Sequence, residues 1–181
     1  MVDKNCISTI SHIRFDPTEP KAEDIEIEDI AHALSFLTRA NGHFSVFFSV
    51  ARHSINCALE AKNRGYSKRV QLLCLLHDAA EAYIGDMTRP LKLKIPYFSE
   101  IEGKYQKIIL SKYIDGGVSK EERLLAKNID DAMLYHEFLK YNGEKLLDSV
   151  SQISIDLDKS IKSAQETKQE FLALFNELTG Q

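Results

Sequence analysis

The sequence predicts an all-α fold, a single-domain bundle of about six helices. Three observations lead there. Apolar residues recur with helical spacing over successive long segments. Start and stop residues (serine, Asn-Gly, lone glycine) punctuate the chain at helix-length intervals. No stretch of alternating polarity is long enough for a sheet. The 181 residues suit one domain, and 44% hydrophobic with 28% charged residues allows a sizeable core without a disulfide framework.

Taken in order, residues 1–26 read as an irregular segment, with a short strand or hairpin within Thr9–Phe15 and a turn at Asp16-Pro17-Thr18-Glu19-Pro20. A first helix is expected over Ile27–Ala40, with Ile27, Ile30, Ala31, Leu34 and Leu37 on its apolar face and Asn41-Gly42 ending it. A second covers Phe44–Arg64 and closes at Gly65. A third, capped by Ser67, covers Lys68–Ile84 until Gly85 stops it, and 85–90 is a loop. Ser99 to Glu102 has capping-box spacing and opens a fourth helix to Tyr113. Ser119 to Glu122 repeats the pattern and opens a fifth, reaching Asn142-Gly143. A last amphipathic helix runs over Asp156–Leu178, either closing the core or packing on another subunit. The organisation is thus an N-terminal segment (1–26), a helical core (27–142) and a C-terminal helix region (143–181), without repeats or a second domain.

Composition narrows the function classes. A net charge of −4 argues against a coat for nucleic acid polymers or anionic membrane, yet allows a nucleotide monomer. Cys6, Cys57 and Cys74 form no CxxC pair, so neither disulfide scaffold nor zinc ribbon is indicated. The N-terminus lacks a signal-peptide apolar region, and no run approaches the roughly 20 residues of a membrane span. The expected compartment is the cytoplasm.

The chemistry gathers on three helices. Val70 to Ala80 is apolar nearly all round, which predicts burial, yet His77-Asp78 lies within it. A charged aspartate there costs several kcal/mol unless it meets a cation or a dense set of hydrogen bonds. His53 sits among Val46, Phe47, Val50, Ala51, Ile55 and Ala58, and Asp130-Asp131 between Leu124-Leu125-Ala126 and Ala132-Met133-Leu134. Two neutral imidazoles and two carboxylates suit one divalent ion such as Mn²⁺, Co²⁺, Fe²⁺, Zn²⁺ or Mg²⁺. With four protein ligands, a six-coordinate ion keeps two positions for phosphate oxygen and water.

His53, then His77-Asp78, then Asp130 resembles the H…HD…D pattern of the HD-domain superfamily. The stretch HDAAEAYIGDMTRPLK (77–92), with Phe48–Ser54 and Ile27–Ser35, is similar to its bacterial 5′-deoxynucleotidase branch and phage-encoded relatives, over residues 9–142. The resemblance implies metal ligands at His53, His77, Asp78 and a final aspartate. Asp130 and Asp131 are adjacent candidates, and a K-x-x-D spacing from Lys127 favours Asp130. It further implies Glu81, one turn after His77, as the residue handling the attacking water, and Asp86 as a second carboxylate positioning water or leaving group. Arg39 resembles a substrate-contacting arginine, and Lys92 could hold a phosphate as a point charge. His43 is a cap or a contact; His12, His32 and His136 are read as structural or exposed. No histidine lies between His77 and His136, which favours one metal over a dinuclear centre.

The implied activity is hydrolysis of a nucleoside 5′-monophosphate to nucleoside and phosphate. A dNTP triphosphohydrolase, for example on dATP, is the near alternative, and an inactive metal-binding HD module in regulation is the alternative of another class. The resemblance also implies a homo-oligomer.

Overall fold

The computed structural model describes residues 5–146 and 151–180; the parts of the sequence expectations that fall on residues 1–4, 147–150 and 181 lie outside the described residues. The chain is mostly helical, as expected, around one continuous cluster of buried apolar side chains. Its elements are β1 (Ile7–Ser8), β2 (Arg14–Phe15), α1 (Ile27–Phe36), α2 (Val50–Asn63), α3 (Lys68–Leu76), α4 (Glu81–Ile84), α5 (Arg89–Lys92), α6 (Pro96–Tyr113), α7 (Lys120–Tyr141) and α8 (Ala164–Thr179). Short 3₁₀ turns cover Ala22–Asp24, Arg39–Gly42 and Leu157–Ser160.

A minimal hairpin forms, but its first strand precedes the expected Thr9–Phe15 span, which holds the turn and the second strand. β1 and β2 pair antiparallel in the register Ile7↔Phe15 and Ser8↔Arg14. It serves to bury Phe15, whose ring stacks on Tyr83 at 4.4 Å between centroids.

α1 ends at Phe36 rather than at Ala40. Leu37 and Thr38 turn extended, and a short antiparallel contact takes over: Arg39 N–H donates to the Phe48 carbonyl at 2.9 Å and Val50 N–H to Leu37 at 3.0 Å. Ala40, Asn41 and Gly42 then follow in left-handed conformation, with φ of 53°, 50° and 78°. For Ala40 and Asn41 that conformation costs about 1–2 kcal/mol per residue. The paired strands on either side hold it in place.

α2 starts at Val50, six residues later than Phe44, because Ser49 is the cap: its hydroxyl accepts the Arg52 N–H at 3.2 Å. α3 is capped as expected by Ser67, accepting from Val70 at 3.3 Å. It does not reach Ile84. Beyond Leu76 the hydrogen bonds shorten to a three-residue step (Ala79 to Leu76, Glu81 to Asp78, Ala82 to Ala79), so the helix tightens over 77–80 before α4. α5 occupies part of the expected 85–90 loop. α6 opens at Pro96, not at Ser99, since proline at the first helical position is preorganised and has no N–H to satisfy. α7 carries the expected Ser119–Glu122 capping box.

The last helix is shorter than expected and starts at Ala164. A second capping box, Ser163 with Glu166, opens it, while Asp156 caps only the preceding 3₁₀ turn. The helix closes this chain's core: Phe171 and Phe175 are buried, and Arg52 reaches from α2 to Glu170 at 2.5 Å and Thr167 at 3.3 Å. No helix among the described residues is long and apolar enough to cross a membrane.

Candidate metal centre

α2, α3 and α7 pack against one another, and each contributes to one polar cluster within the apolar core. His53 is the fourth residue of α2, in its first turn rather than mid-helix as the sequence suggests, and is fully buried. His77 and Asp78 come from the tightened end of α3, and Asp130 from the middle of α7. His53 Nε2 lies 3.3 Å from His77 Nε2, 3.1 Å from Asp130 Oδ1 and 3.9 Å from Asp78 Oδ2. His77 Nε2 lies 3.2 Å from Asp78 Oδ2 and 3.7 Å from Asp130 Oδ1. The four side chains named from sequence therefore meet. His53, His77 and the thiol of Cys57, one turn after His53 on α2, form a group whose donor atoms all lie within 4.8 Å of one another and could hold a metal ion.

The ring orientations are set from behind. His53 Nδ1 donates to the Glu137 carboxylate at 2.9 Å, and His77 Nδ1 donates to the Cys74 carbonyl at 2.7 Å. In each neutral ring Nε2 is then the bare acceptor nitrogen. Two lone pairs facing each other at 3.3 Å, beside two carboxylates, require a proton or a cation among them.

Arg39 completes the charge balance. Its Nη1 lies 3.3 Å from Asp78, its Nη2 3.6 Å from Asp130 and its Nε 3.2 Å from Glu137. Three carboxylates against one guanidinium leave two negative charges in excess. Burial opposes ionisation of Asp78 and Asp130, yet the neighbouring imidazoles hold both well below the usual carboxylate range, with Arg39 assisting at Asp78. Correspondingly, burial disfavours the His77 cation, but Asp78 and Asp130 raise its pKa well above that of a free imidazole. Burial and Arg39 oppose charge on His53 too, and Glu137 and Asp130 overcome them.

A fourth carboxylate behaves oppositely. Glu81 is buried, its Oε2 has no hydrogen-bond partner, and burial followed by the Asp78 and Asp86 charges pushes its pKa up to about 9. Lys92 stands beside it, with Nζ 3.5 Å from Glu81 and 2.5 Å from Glu102. Asp86 is half-buried in the loop after α4, close enough to act on Glu81 by charge alone.

Several sequence expectations change in detail. The sequence puts Arg39 near the end of the first helix; it lies instead in a 3₁₀ turn after α1, buried against three carboxylates. Asp130 and Asp131 separate cleanly: Asp130 points into the cluster, while Asp131 pairs with Lys127 at 2.5 Å on the outside of α7. Among the remaining histidines, His32 packs on Phe36 at 4.7 Å between ring centroids, His136 contacts the Ser151 carbonyl at 3.1 Å, and the His43 carbonyl accepts from Asn142. His12 occupies the hairpin turn at φ 63°.

Sequence reasoning missed Glu137 and the position of Cys57. Both carried a periodic signal: Glu137 is seven residues, two turns, after Asp130 on the same helix face, and Cys57 is four after His53. A cavity of about 340 Å³ lies between β1 and α1, another of about 430 Å³ between α7 and residues 153–158, and no cluster residue lines either.

No protein-family model matches the chain. Over 107 residues it is 36% identical to the uncharacterized protein YfdR of Escherichia coli (strain K12), covering 59% of this chain and 57% of that protein. Over 90 residues it is 43% identical to an uncharacterized protein of Rhodobacter capsulatus, RCAP_rcc00048, covering 48% of this chain and 46% of that protein. The chain thus spans about half the length of the curated relatives it matches.

Proposed function

We propose that this chain is a phosphohydrolase of the HD-domain type, dependent on one divalent ion, that releases phosphate from nucleoside 5′-monophosphates. One observation carries the reading: two imidazoles anchored from behind turn their Nε2 atoms toward each other, 3.3 Å apart, and toward the Asp78 and Asp130 carboxylates. The resemblance of residues 77–92 to the 5′-deoxynucleotidase branch supplies the substrate class.

The donor set fits such an ion. Ligands at about 2.1 Å from a metal stand about 3.0 Å apart at right angles and about 3.4 Å apart in a tetrahedron. Three separations, 3.1 to 3.3 Å, fall in that range, and those from His77 to Asp130 and from His53 to Asp78 are wider, at 3.7 and 3.9 Å. The excess of two negative charges matches a divalent cation. His53, His77, Asp78 and Asp130 would hold it. His53 closes one side, being fully buried, whereas the Asp78 and Asp130 side chains remain 21% and 31% exposed, leaving an approach for phosphate and water. When bound, the ion supplies Lewis-acid polarisation and a water of lowered pKa.

The chain's own residues divide the remaining work by environment. Two carboxylates are held ionised and one is pushed toward its protonated form, the separation that distinguishes ligands from a proton carrier. Glu81, pushed toward its protonated form, is the group that gives a proton to the leaving alkoxide and, once emptied, takes one from the attacking water. Asp86 raises the proton affinity of Glu81 through its charge. Lys92 stands where a phosphate oxygen could replace one of its two carboxylate partners. Arg39 stabilises the ligand carboxylates and keeps their spacing.

Protein stripped with chelator and reloaded with Mn²⁺ or Co²⁺, offered nucleoside mono- and triphosphates, tests the reading. Metal-dependent phosphate release from a monophosphate is expected; release of triphosphate would replace the nucleotidase reading with a triphosphohydrolase. Glu81→Gln should lower turnover by about 10²–10⁴-fold while metal affinity holds. Stoichiometric metal without turnover on any nucleotide would leave the centre without this activity.

Binding should also depend on pH. The neighbouring carboxylates raise the proton affinity of His53 and His77, so an entering ion competes with protons for the rings. Affinity for Mn²⁺ is therefore expected to fall on going from about pH 8 to about pH 6, roughly tenfold per unit for each proton displaced. Calorimetry in buffers of differing ionisation enthalpy counts those protons. A pH-independent affinity with no proton release would remove both imidazoles from the ligand set.

A further inference from the structure

We propose that Cys57 is an additional metal donor that sets the ion preference of this centre, giving it a thiolate-bearing face made by His53, Cys57 and His77. The inference rests on the metal-binding reading above and goes beyond it, because the His/Asp set alone carries no preference for a thiophilic ion.

Helical periodicity places the sulfur. Cys57 follows His53 by one turn of α2 and is fully buried, with Sγ 3.6 Å from His53 Nε2. The His53 and His77 Nε2 atoms are 3.3 Å apart, and all three donors lie within 4.8 Å of one another. A tetrahedral ion at about 2.05 Å from nitrogen and about 2.3 Å from sulfur sets N and S about 3.6 Å apart and two nitrogens about 3.3 Å apart. Both separations in the structure agree. Cys74, the other buried thiol in this region, lies on α3 and offers its carbonyl to His77 instead.

Two overlapping donor sets follow, sharing both imidazoles. The set with Asp78 and Asp130 suits hard or borderline ions, Mg²⁺ and Mn²⁺ among them. The set with Cys57 suits Zn²⁺ and Co²⁺, because soft sulfur favours thiophilic ions. Entry of such an ion releases the thiol proton to solvent and forms one metal–sulfur bond. The centre would thus discriminate among ions by Cys57 rather than by size alone.

The test uses the full chain, metal-stripped and titrated with Co²⁺, Zn²⁺ and Mn²⁺, beside Cys57→Ser and Cys57→Val. Circular dichroism and melting temperature verify that each variant folds, and the near-isosteric valine serves if serine unfolds the core. Wild-type protein with Co²⁺ should show a sulfur-to-cobalt charge-transfer band in the near ultraviolet, absent from both variants although they still bind Co²⁺. Zn²⁺ affinity should fall at least tenfold in the variants while Mn²⁺ affinity stays within about twofold. One Co²⁺ bound per chain without that band, or a Zn²⁺ to Mn²⁺ preference unchanged by Cys57→Val, overturns the role of Cys57 while leaving the His/Asp site standing. Failure of wild-type protein to bind any of the three ions overturns both.

Discussion

Glu137→Ala is expected to lower stability by about 3–5 kcal/mol, because it leaves a buried cation and a buried imidazole facing an empty space. Glu137 is fully buried, and its carboxylate takes the Nδ1 proton of His53 at 2.9 Å and the Nε proton of Arg39 at 3.2 Å. Removing it strips Arg39 of one of three charge partners and frees the His53 ring to change tautomer. For a chain of this length the loss corresponds to a melting temperature lower by about 6–20 °C. Glu137→Gln separates the two roles. An amide still accepts from His53, so most of the fold should survive, yet metal affinity should fall by about 10–100-fold because a neutral partner makes the imidazole a weaker donor. Thermal melts and Mn²⁺ titrations on both variants provide the check. A Glu137→Ala protein that melts with the wild type and binds Mn²⁺ equally well would show that His53 needs no support from behind.

Asp130→Ala and Asp131→Ala should differ sharply although the residues are adjacent. Asp130 lies 3.1 Å from His53 Nε2, and its loss removes a ligand charge from a cluster otherwise balanced for a divalent ion. Turnover is expected to fall by about 10²–10³-fold or more, the several kcal/mol of ion-borne charge stabilisation at about 1.36 kcal/mol per decade. Asp131 pairs only with Lys127, on the outside of α7. Its removal should change stability by about 0.5 kcal/mol at most and leave metal affinity intact. Phosphate release and bound metal per chain, measured side by side, settle the pair. Equal losses in the two variants would mean that α7 presents a different face to the cluster.

Comparable physics explains which parts of the molecule were legible beforehand. Whatever depends on residues a few positions apart could be read from the chain directly. The Ser119–Glu122 capping box opens α7, Ser67 caps α3, and Gly65 follows α2, because each closes hydrogen bonds within one turn. The need for a cation or a dense set of hydrogen bonds was also legible, since His77-Asp78 follows a run with no polar face to escape to. Where local signals competed, sequence reasoning chose the wrong one. Ser99 resembles a cap, but Pro96 three residues earlier already starts α6. Asp156 resembles one too, yet Ser163 with Glu166 caps α8 and Asp156 only a 3₁₀ turn.

The rest waited on packing, because side chains on separate helices meet only according to the face each helix buries. Asp130 and Asp131 are about 100° apart around α7, and only the packing of α7 on α2 and α3 turns one inward and leaves the other to Lys127. The antiparallel pairing of residues 37–39 with 48–50 takes Arg39 off the end of α1 and into the carboxylate cluster. Glu137, two turns beyond Asp130, becomes the support of His53 for the same reason: its periodicity is written in the chain, but its partner lies 84 residues away. Local chemistry can specify a turn of helix, whereas a polar cluster inside an apolar core exists only once the helices that carry it have packed.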